Sequence, residues 1–374
     1  MELCQDTNPD VRRIMCGQLG ALCTAVGCEL ASSEVLPEIL ELLLDEESEV
    51  KLQAYRTMLS VMHLFPVEVH LEQIIPALLT LVTDEEYMNN ENVARSFGIA
   101  ICQLAELDAL HAETSVSLLE VYVKMAYGQN DEIRHLCAFN FPAMLHAFGV
   151  AQYATQLDAI YQHLAHDKSE IVRSTIASGI GKVADIFGSQ RVLKYLKAMV
   201  ISLLGDTDLL VRSNMVAHLE LILTHFAAAK DETAKLTSLH QVLTLCTKYE
   251  EDLPESQWRA RATFLKSYYH LPKWFDCSKL YDNVIPNVFK ILRTSARPVQ
   301  IEALRVILWY TRQSTIQSQR FSNISRLRTE YGKGASAWQK ILYIDACALV
   351  LKFNSCRYFK QIFLEHALEL IEVS

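Results

Sequence analysis

Glycine and proline are scarce in this chain, 12 and 9 among 374 residues. Few positions can therefore break a helix or force a tight turn, and long helices are favoured. No two of the ten cysteines form a CxxC pair, and most sit inside apolar runs, where a thiol acts as a small hydrophobe. That usage excludes a disulfide framework and fits a reducing compartment. The first residues lack signal-peptide anatomy, and no uncharged apolar run reaches the ~18 residues a membrane span needs. A cytoplasmic protein is the expectation. No HExxH motif or nucleophile elbow is present.

What is abundant is apolar surface: the hydrophobic fraction is 51%, which excludes a disordered chain. Charge is uneven. Residues 1–132 carry 23 acidic and 6 basic side chains, whereas residues 293–360 carry 3 acidic and 12 basic ones. Such a gradient either steers and orients partners or is a solvated surface without a ligand. The net charge of −9 argues against nucleic acid as the main partner.

One pattern recurs. A polar turn leads to a β-branched or aromatic residue, usually followed by Arg or Lys, and then to an apolar helix. The anchors are Val11, Val50, Val93, Ile133, Val172, Val211, Trp258, Val299 and Trp338, in steps of 39, 43, 40, 39, 39, 47, 41 and 39 residues. A period near ~40 is that of HEAT and armadillo arrays. Upstream of several anchors lies a second apolar helix with Pro near its start, as at Leu36-Pro37, Ile75-Pro76 and Ile285-Pro286. Proline is tolerated there because its missing N–H matters least. Asp45, Asp167 and Asp206 at the following turns can accept hydrogen bonds from the next helix's free N–H groups. Each unit thus reads as helix A, tight turn, helix B.

Within the helices, Val172, Ile176, Ile180, Val183 and Ile186 make one stripe, as do Val116, Leu119, Val123 and Ala126. One pair cannot bury its stripe alone, so the pairs must stack. The expected fold is an all-α, HEAT-type α-α superhelical solenoid of about eight to nine helix pairs. Residues 1–374 are expected to form a single array. The first unit (a B helix over 9–26) lacks helix A, and the last (357–373) lacks helix B, as in a fragment of a longer array.

Motifs that mimic chemistry have plainer readings. Gly179-Ile180-Gly181-Lys182 has a GxGK look, but a P-loop needs Gly where Ile176 stands and Ser or Thr where Val183 stands. His163, His166 and Asp167 have no second cluster to complete a metal site. No cofactor, metal or catalytic residue is assigned.

Three features stand out. Trp258, Arg259 and Arg261 stand at an A–B turn, reached through an acidic loop from Tyr249 to Glu255; Trp and Arg are the commonest interface anchors. Trp258 is either a contact residue or merely fills the place Val takes elsewhere. Pro142, in Asn140-Phe141-Pro142-Ala143-Met144, should kink a B helix and adjust curvature. Trp338, with Lys333, Lys340 and Arg357, is either a second contact or a core residue ringed by solvated charges.

The Pro-bearing A helices, the Asp…Val-Arg turns, the Asn140–Met144 run, Trp258-Arg259 and the aromatic stretch Arg357–Lys360 resemble the HEAT-repeat scaffold and regulatory subunits of type 2A-like phosphatases. The resemblance runs in order through nearly the whole chain. It implies a non-catalytic cytoplasmic regulator that binds the catalytic subunit of protein phosphatase 4, which would supply the metals and the hydrolysis. Contact residues of the scaffold's Trp-Arg turns carry over to Trp258, Arg259 and, more loosely, Arg261. None carries over at Asn92–Arg95, where the turn is shifted. The alternative is a transport or trafficking adaptor that binds peptides or small GTPases on its concave face.

Overall fold

The computed structural model describes residues 2–228, 230–269, 271–273, 276–332 and 336–372. Among the described residues there is helix and no strand, and no helix is long and apolar enough to cross a membrane. Contacts divide the chain into two compact units, residues 1–187 and 188–374.

In the first unit the B helices are α1 (Pro9–Val26), α3 (Ser48–Val61), α5 (Glu91–Glu106), α7 (Asp131–Gln152) and α9 (Glu170–Phe187). The A helices are α2 (Leu36–Leu42), α4 (Ile75–Thr83), α6 (Ala112–Ala126) and α8 (Asp158–Ala165). Successive B helices pack on one another, α1 on α3, α3 on α5, α5 on α7 and α7 on α9, while α4, α6 and α8 form the second layer. Polar N-cap side chains start several B helices: Asn8, Asn90 and Asn130 each accept the backbone N–H two residues on.

The second unit contains α10 (Ser189–Leu204), α11 (Leu209–Ala217), α12 (Leu219–Ala227), α13 (Glu232–Asp252), α14 (Trp258–Ser267), α15 (Cys277–Thr294), α16 (Arg297–Gln313), α17 (Gln317–Tyr331), α18 (Ala337–Phe353), α19 (Cys356–Ile362) and α20 (Leu364–Glu372). Here α14, α16 and α18 are successive B helices, with α15 and α17 packed behind them. Each unit is thus a stack of HEAT-type helix pairs.

The stripe expected in α9 is buried at Val172, Ile176, Ile180 and Val183, with Ile186 half-buried. The stripe expected in α6 is rotated. Val116 is exposed and Val123 half-buried, while Leu118, Leu119, Tyr122, Met125 and Ala126 face the core. Both sets fit the helical period, and the face with Tyr122 and Met125 removes more apolar area from water. Burial also gives the Tyr122 hydroxyl a partner, the Cys137 carbonyl at 2.7 Å.

Pro37 and Pro76 stand second in α2 and α4, near the helix starts as expected, though a wider helical segment leads into each. Pro37 and Pro76 follow five-residue π-helical segments, Ala31–Val35 and His70–Ile74, in which the N–H before the proline reaches back five residues. The wider turn absorbs the ring and the lost donor. Pro286 lies well inside α15. Pro142 is interior to α7 as expected, but the non-helical backbone falls at Gly149, with φ 75 and ψ 172. Gly27 and Gly188, which follow α1 and α9, share that conformation, which is essentially confined to glycine. A glycine-only corner therefore recurs where a B helix hands over to the next A helix.

Candidate protein-docking surface

The recurring arginine is the fourth residue of its helix at Arg12, Arg134, Arg173, Arg212 and Arg261. In three units one edge of the guanidinium closes the turn before it. Arg12 Nη1 donates to the carbonyls of Asp6 and Thr7 (2.8 and 3.4 Å). Arg134 Nη1 donates to those of Gly128 and Gln129 (both 2.9 Å), and Arg173 Nη1 to those of Asp167 and Lys168 (2.7 and 3.3 Å). The other edge reaches forward one repeat. Arg12 makes a bidentate pair with Asp45 at 2.7 and 2.8 Å, and Arg134 one with Asp167 at 2.6 and 3.0 Å. Arg212 Nη1 lies 2.5 Å from Asp252. Where the fourth residue is Lys51, its ammonium sits 5.2 Å from the Tyr87 ring centre. Where it is Gln300, the amide donates to the Leu292 carbonyl at 3.0 Å. The Val-Arg repeat is thus an internal clamp, which closes its own turn and, at Arg12, Arg134 and Arg212, ties it to the next one.

The turn aspartates do more than cap. Asp45 and Asp167 accept the arginine and also the N–H groups of Glu47 and Ser169 at 2.9 Å, residues that precede the next helix. Burial alone would raise both carboxyl pKa values; the arginine and backbone N–H bonds outweigh it and hold them below the ordinary value.

This register relocates two anchors. In α14 the clamp is Arg261, so Ala260 takes the Val position and Trp258 is the first helical residue, two places early. In α18 Trp338 is the second residue, one place early. Neither tryptophan fills the position that Val occupies elsewhere. The spacing near ~40 hides the shift, because the longer loop before Trp258 absorbs it.

Trp258 is half-buried and Arg259 exposed, with the guanidinium 4.4 Å from the indole centre, a cation–π stack at the head of the helix. Arg261 points inward instead. Its Nη2 donates to the carbonyls of Glu250 and Leu253 at 3.1 and 2.7 Å, and its Nε lies 2.9 Å from the buried Glu250 carboxylate. Burial raises the Glu250 pKa, and Arg261 only partly opposes it. The acidic loop is divided: Tyr249, Glu250 and Leu253 are buried, whereas Glu251, Asp252, Pro254 and Glu255 are exposed, with Glu251 meeting Lys290 at 2.6 Å and Asp252 meeting Arg212. Beside these exposed acidic residues, the turn offers outward the half-buried Trp258 with the exposed Arg259.

Trp338 is 52% exposed and heads an exposed stripe with Ile341, Ile344 and Leu351 on α18. The Arg297 guanidinium lies 5.2 Å from its ring and is ion-paired to Asp345. Lys340 is half-buried and Arg357 exposed; Lys333 and Val373 lie outside the described residues.

The remaining motifs resolve into packing. Asn140 donates to the Ala94 carbonyl at 2.6 Å, and Phe141 stacks on Tyr161 at 4.1 Å. Gly179 lies in mid-helix, where an added Cβ would stand 3.5 Å from the Pro142 ring. His163 stacks on Tyr127 at 4.1 Å, and His166 Nδ1 is 2.8 Å from the Gln162 carbonyl. Among the described residues no group of three or more His, Cys, Asp and Glu could hold a metal ion. Sequence reasoning found the Val-Arg turns but missed the clamp, whose signal is the pairing of Arg12 with Asp45 and Arg134 with Asp167 at a common separation of 33 residues.

Comparison with known proteins follows this geometry. Residues 1–147 match the family model described as PIK3R4-like, middle domain. The chain is 28% identical to human serine/threonine-protein phosphatase 4 regulatory subunit 4 and 26% identical to its mouse counterpart. In each case the match covers 98% of this chain and 45% of the relative. The chain therefore spans less than half the length of these curated relatives. Among solved structures it is similar to importin beta in an ammonium sulfate condition (TM-score 0.60, 12% identity, 92% of this chain and 46% of that one). It is also similar to yeast importin-beta (TM-score 0.56, 14% identity, 93% and 46%). At such identities these likenesses establish the fold alone. The chain is a HEAT-type helical repeat protein that resembles protein phosphatase 4 regulatory subunit 4 along nearly its whole length.

Proposed function

We propose that this chain is a non-catalytic regulatory or scaffold subunit that binds the catalytic subunit of protein phosphatase 4 in the cytoplasm. The observation that carries this reading is the similarity to phosphatase 4 regulatory subunits over 98% of the chain. The contact begins at the α14 turn. Trp258 offers a large, partly open apolar face, and Arg259 holds a charge against it, the combination that dominates protein interfaces. Arg261 supports the contact from beneath by fixing the loop, and Trp338 is a second contact. The chain brings surface, and the partner brings the reaction. The fourth residue is Arg, Lys or Gln in α1, α3, α7, α9, α11, α14 and α16, with Ala94 in α5 as the exception, which supports reading residues 1–374 as one array.

The test is a pull-down of the catalytic subunit by the wild-type chain and by Trp258→Ala/Arg259→Ala. Loss of recovery in the variant, with an unchanged helical melt, is the expected result. Equal recovery rejects the site, and no recovery by the wild type rejects the partner. Proximity labelling that returns transport factors in place of phosphatase subunits would favour an adaptor role instead.

A further inference from the structure

A cavity of about 580 Å³ opens on the B-helix face of the second unit, at the opposite end of α14 from the Trp258 turn. Three consecutive B helices build it: the end of α14, the length of α16 and the end of α18. Its apolar part is Leu308, Trp309 and Phe353. Leu308 is buried, Trp309 is half-buried with its ring edge-on to Tyr269 at 6.1 Å, and Phe353 is 48% exposed. A half-open phenylalanine beside a tryptophan is costly surface to leave facing water.

Four cations surround these rings: Lys266, Arg305, Arg312 and Lys352. The one carboxylate in the lining, Glu302, is held by Arg305 at 2.6 Å. Arg312 donates to the Phe353 carbonyl at 3.1 Å and so answers the open C-terminal end of α18, which carries roughly half a negative charge. Counting that end, the cavity retains an excess of roughly two to three positive charges. Lys266, Arg312 and Lys352 are all exposed, with their charges at the rim.

We propose that this cavity docks an acidic, extended segment of a partner protein, with one bulky apolar side chain seated on Trp309 and Phe353 and flanking carboxylates paired to the rim cations. The volume suits one or two side chains rather than a folded domain. The cations ring an apolar floor instead of forming a row, which favours a peptide over a phosphate backbone. The assignment does not depend on which protein the Trp258 turn binds. In a regulatory subunit, such a site recruits clients by an acidic tag.

A fluorescein-labelled peptide, with one central phenylalanine flanked on each side by glutamates, is titrated against the full chain by fluorescence anisotropy. Saturable binding is expected, weaker at higher salt. Replacing the glutamates with glutamine, or the phenylalanine with alanine, should each weaken binding by about tenfold or more. R312E/K352E should do the same. Because Arg312 also braces α18, K266E/K352Q, which touches only exposed rim lysines, serves as the second variant. W309F should remove the peptide-induced change in tryptophan emission. Equal binding of the glutamine peptide, or undiminished binding by K266E/K352Q with a wild-type helical melt, overturns the proposal. So does the absence of peptide binding by a chain that instead self-associates in sedimentation.

Discussion

Arg134 lays two guanidinium nitrogens on the two carboxylate oxygens of Asp167, at 2.6 and 3.0 Å, with both side chains almost wholly buried. Removing either partner leaves a charge in the interior without its counter-ion. Arg134→Ala or Asp167→Ala should therefore cost about 3–5 kcal/mol in urea unfolding. The double variant should cost clearly less than the sum of the two. The pair also contributes to the acid limit. The folded carboxyls of Asp45 and Asp167 have lowered pKa values, so they contribute stability above the unfolded carboxylate value of about 3.9. That contribution is lost as pH falls below this value and through the folded one. Asp167→Asn should flatten the acid limb of a stability–pH curve; an unchanged slope would contradict the assignment.

Gly98 and Asn140 make a second lock between neighbouring B helices. A Cβ at Gly98 would stand 2.6 Å from Asn140 Oδ1 and 3.1 Å from the Ala143 Cβ. Gly98→Ala should overpack α5 against α7 and cost about 1–3 kcal/mol. Asn140→Ala should cost about 1–3 kcal/mol, since it leaves the Ala94 carbonyl without this donor. Combined, the two should be less harmful than their sum, because the smaller residue at 140 makes room for the methyl. Strict additivity in thermal melts would count against the contact.

The thiols separate by burial. Cys16, Cys246 and Cys347 are buried, and burial pushes their pKa values up to about 11, 12 and 11. Cys28 and Cys356 are exposed. A maleimide at pH 8 should label Cys28 and Cys356 within minutes and spare the other three until denaturant is added, as thiolate, not thiol, is the reactive form. Rapid labelling of Cys246 in the native chain would contradict the packing of α13.

The fold was legible because its period is written in apolar residues: Val50, Val93, Ile133, Val172, Val211 and Val299 all come out buried at the third helical position. Register within a unit was less legible. Trp258 and Trp338 satisfy the spacing by eye, yet the clamp at Arg261 and the first residue of α18 put Ala260 and Gln339 at the third position in those units. The stripe of α6 failed for a related reason: two faces fit the 3.6-residue period, and only the neighbouring helices decide between them. The phosphatase resemblance could be read from Asn140–Met144, but the role of Asn140 could not, because its partners, Ala94 and Gly98, lie 46 and 42 residues upstream. The basic cavity was invisible as a unit, since Lys266, Arg312 and Lys352 come from three different repeats.

Arg259 and Arg261 are two residues apart and should behave oppositely. Arg259 is exposed on the Trp258 ring, and Arg261 is bonded to two carbonyls and set against Glu250. Arg259→Ala should leave the melting temperature within experimental scatter, as for an ordinary surface change, while reducing recovery of the phosphatase catalytic subunit. Arg261→Ala should lower stability by about 2 kcal/mol or more, because it strips donors from two carbonyls and a counter-ion from a buried carboxylate. Adding Glu250→Gln to Arg261→Ala should restore part of that loss, since the orphaned charge is then gone. The rescue separates the two roles: a clamp at Arg261 responds to Glu250→Gln, whereas a contact at Arg259 does not. If Arg259→Ala proved the destabilising change and Glu250→Gln rescued it, the register placing Arg261 at the clamp would be wrong.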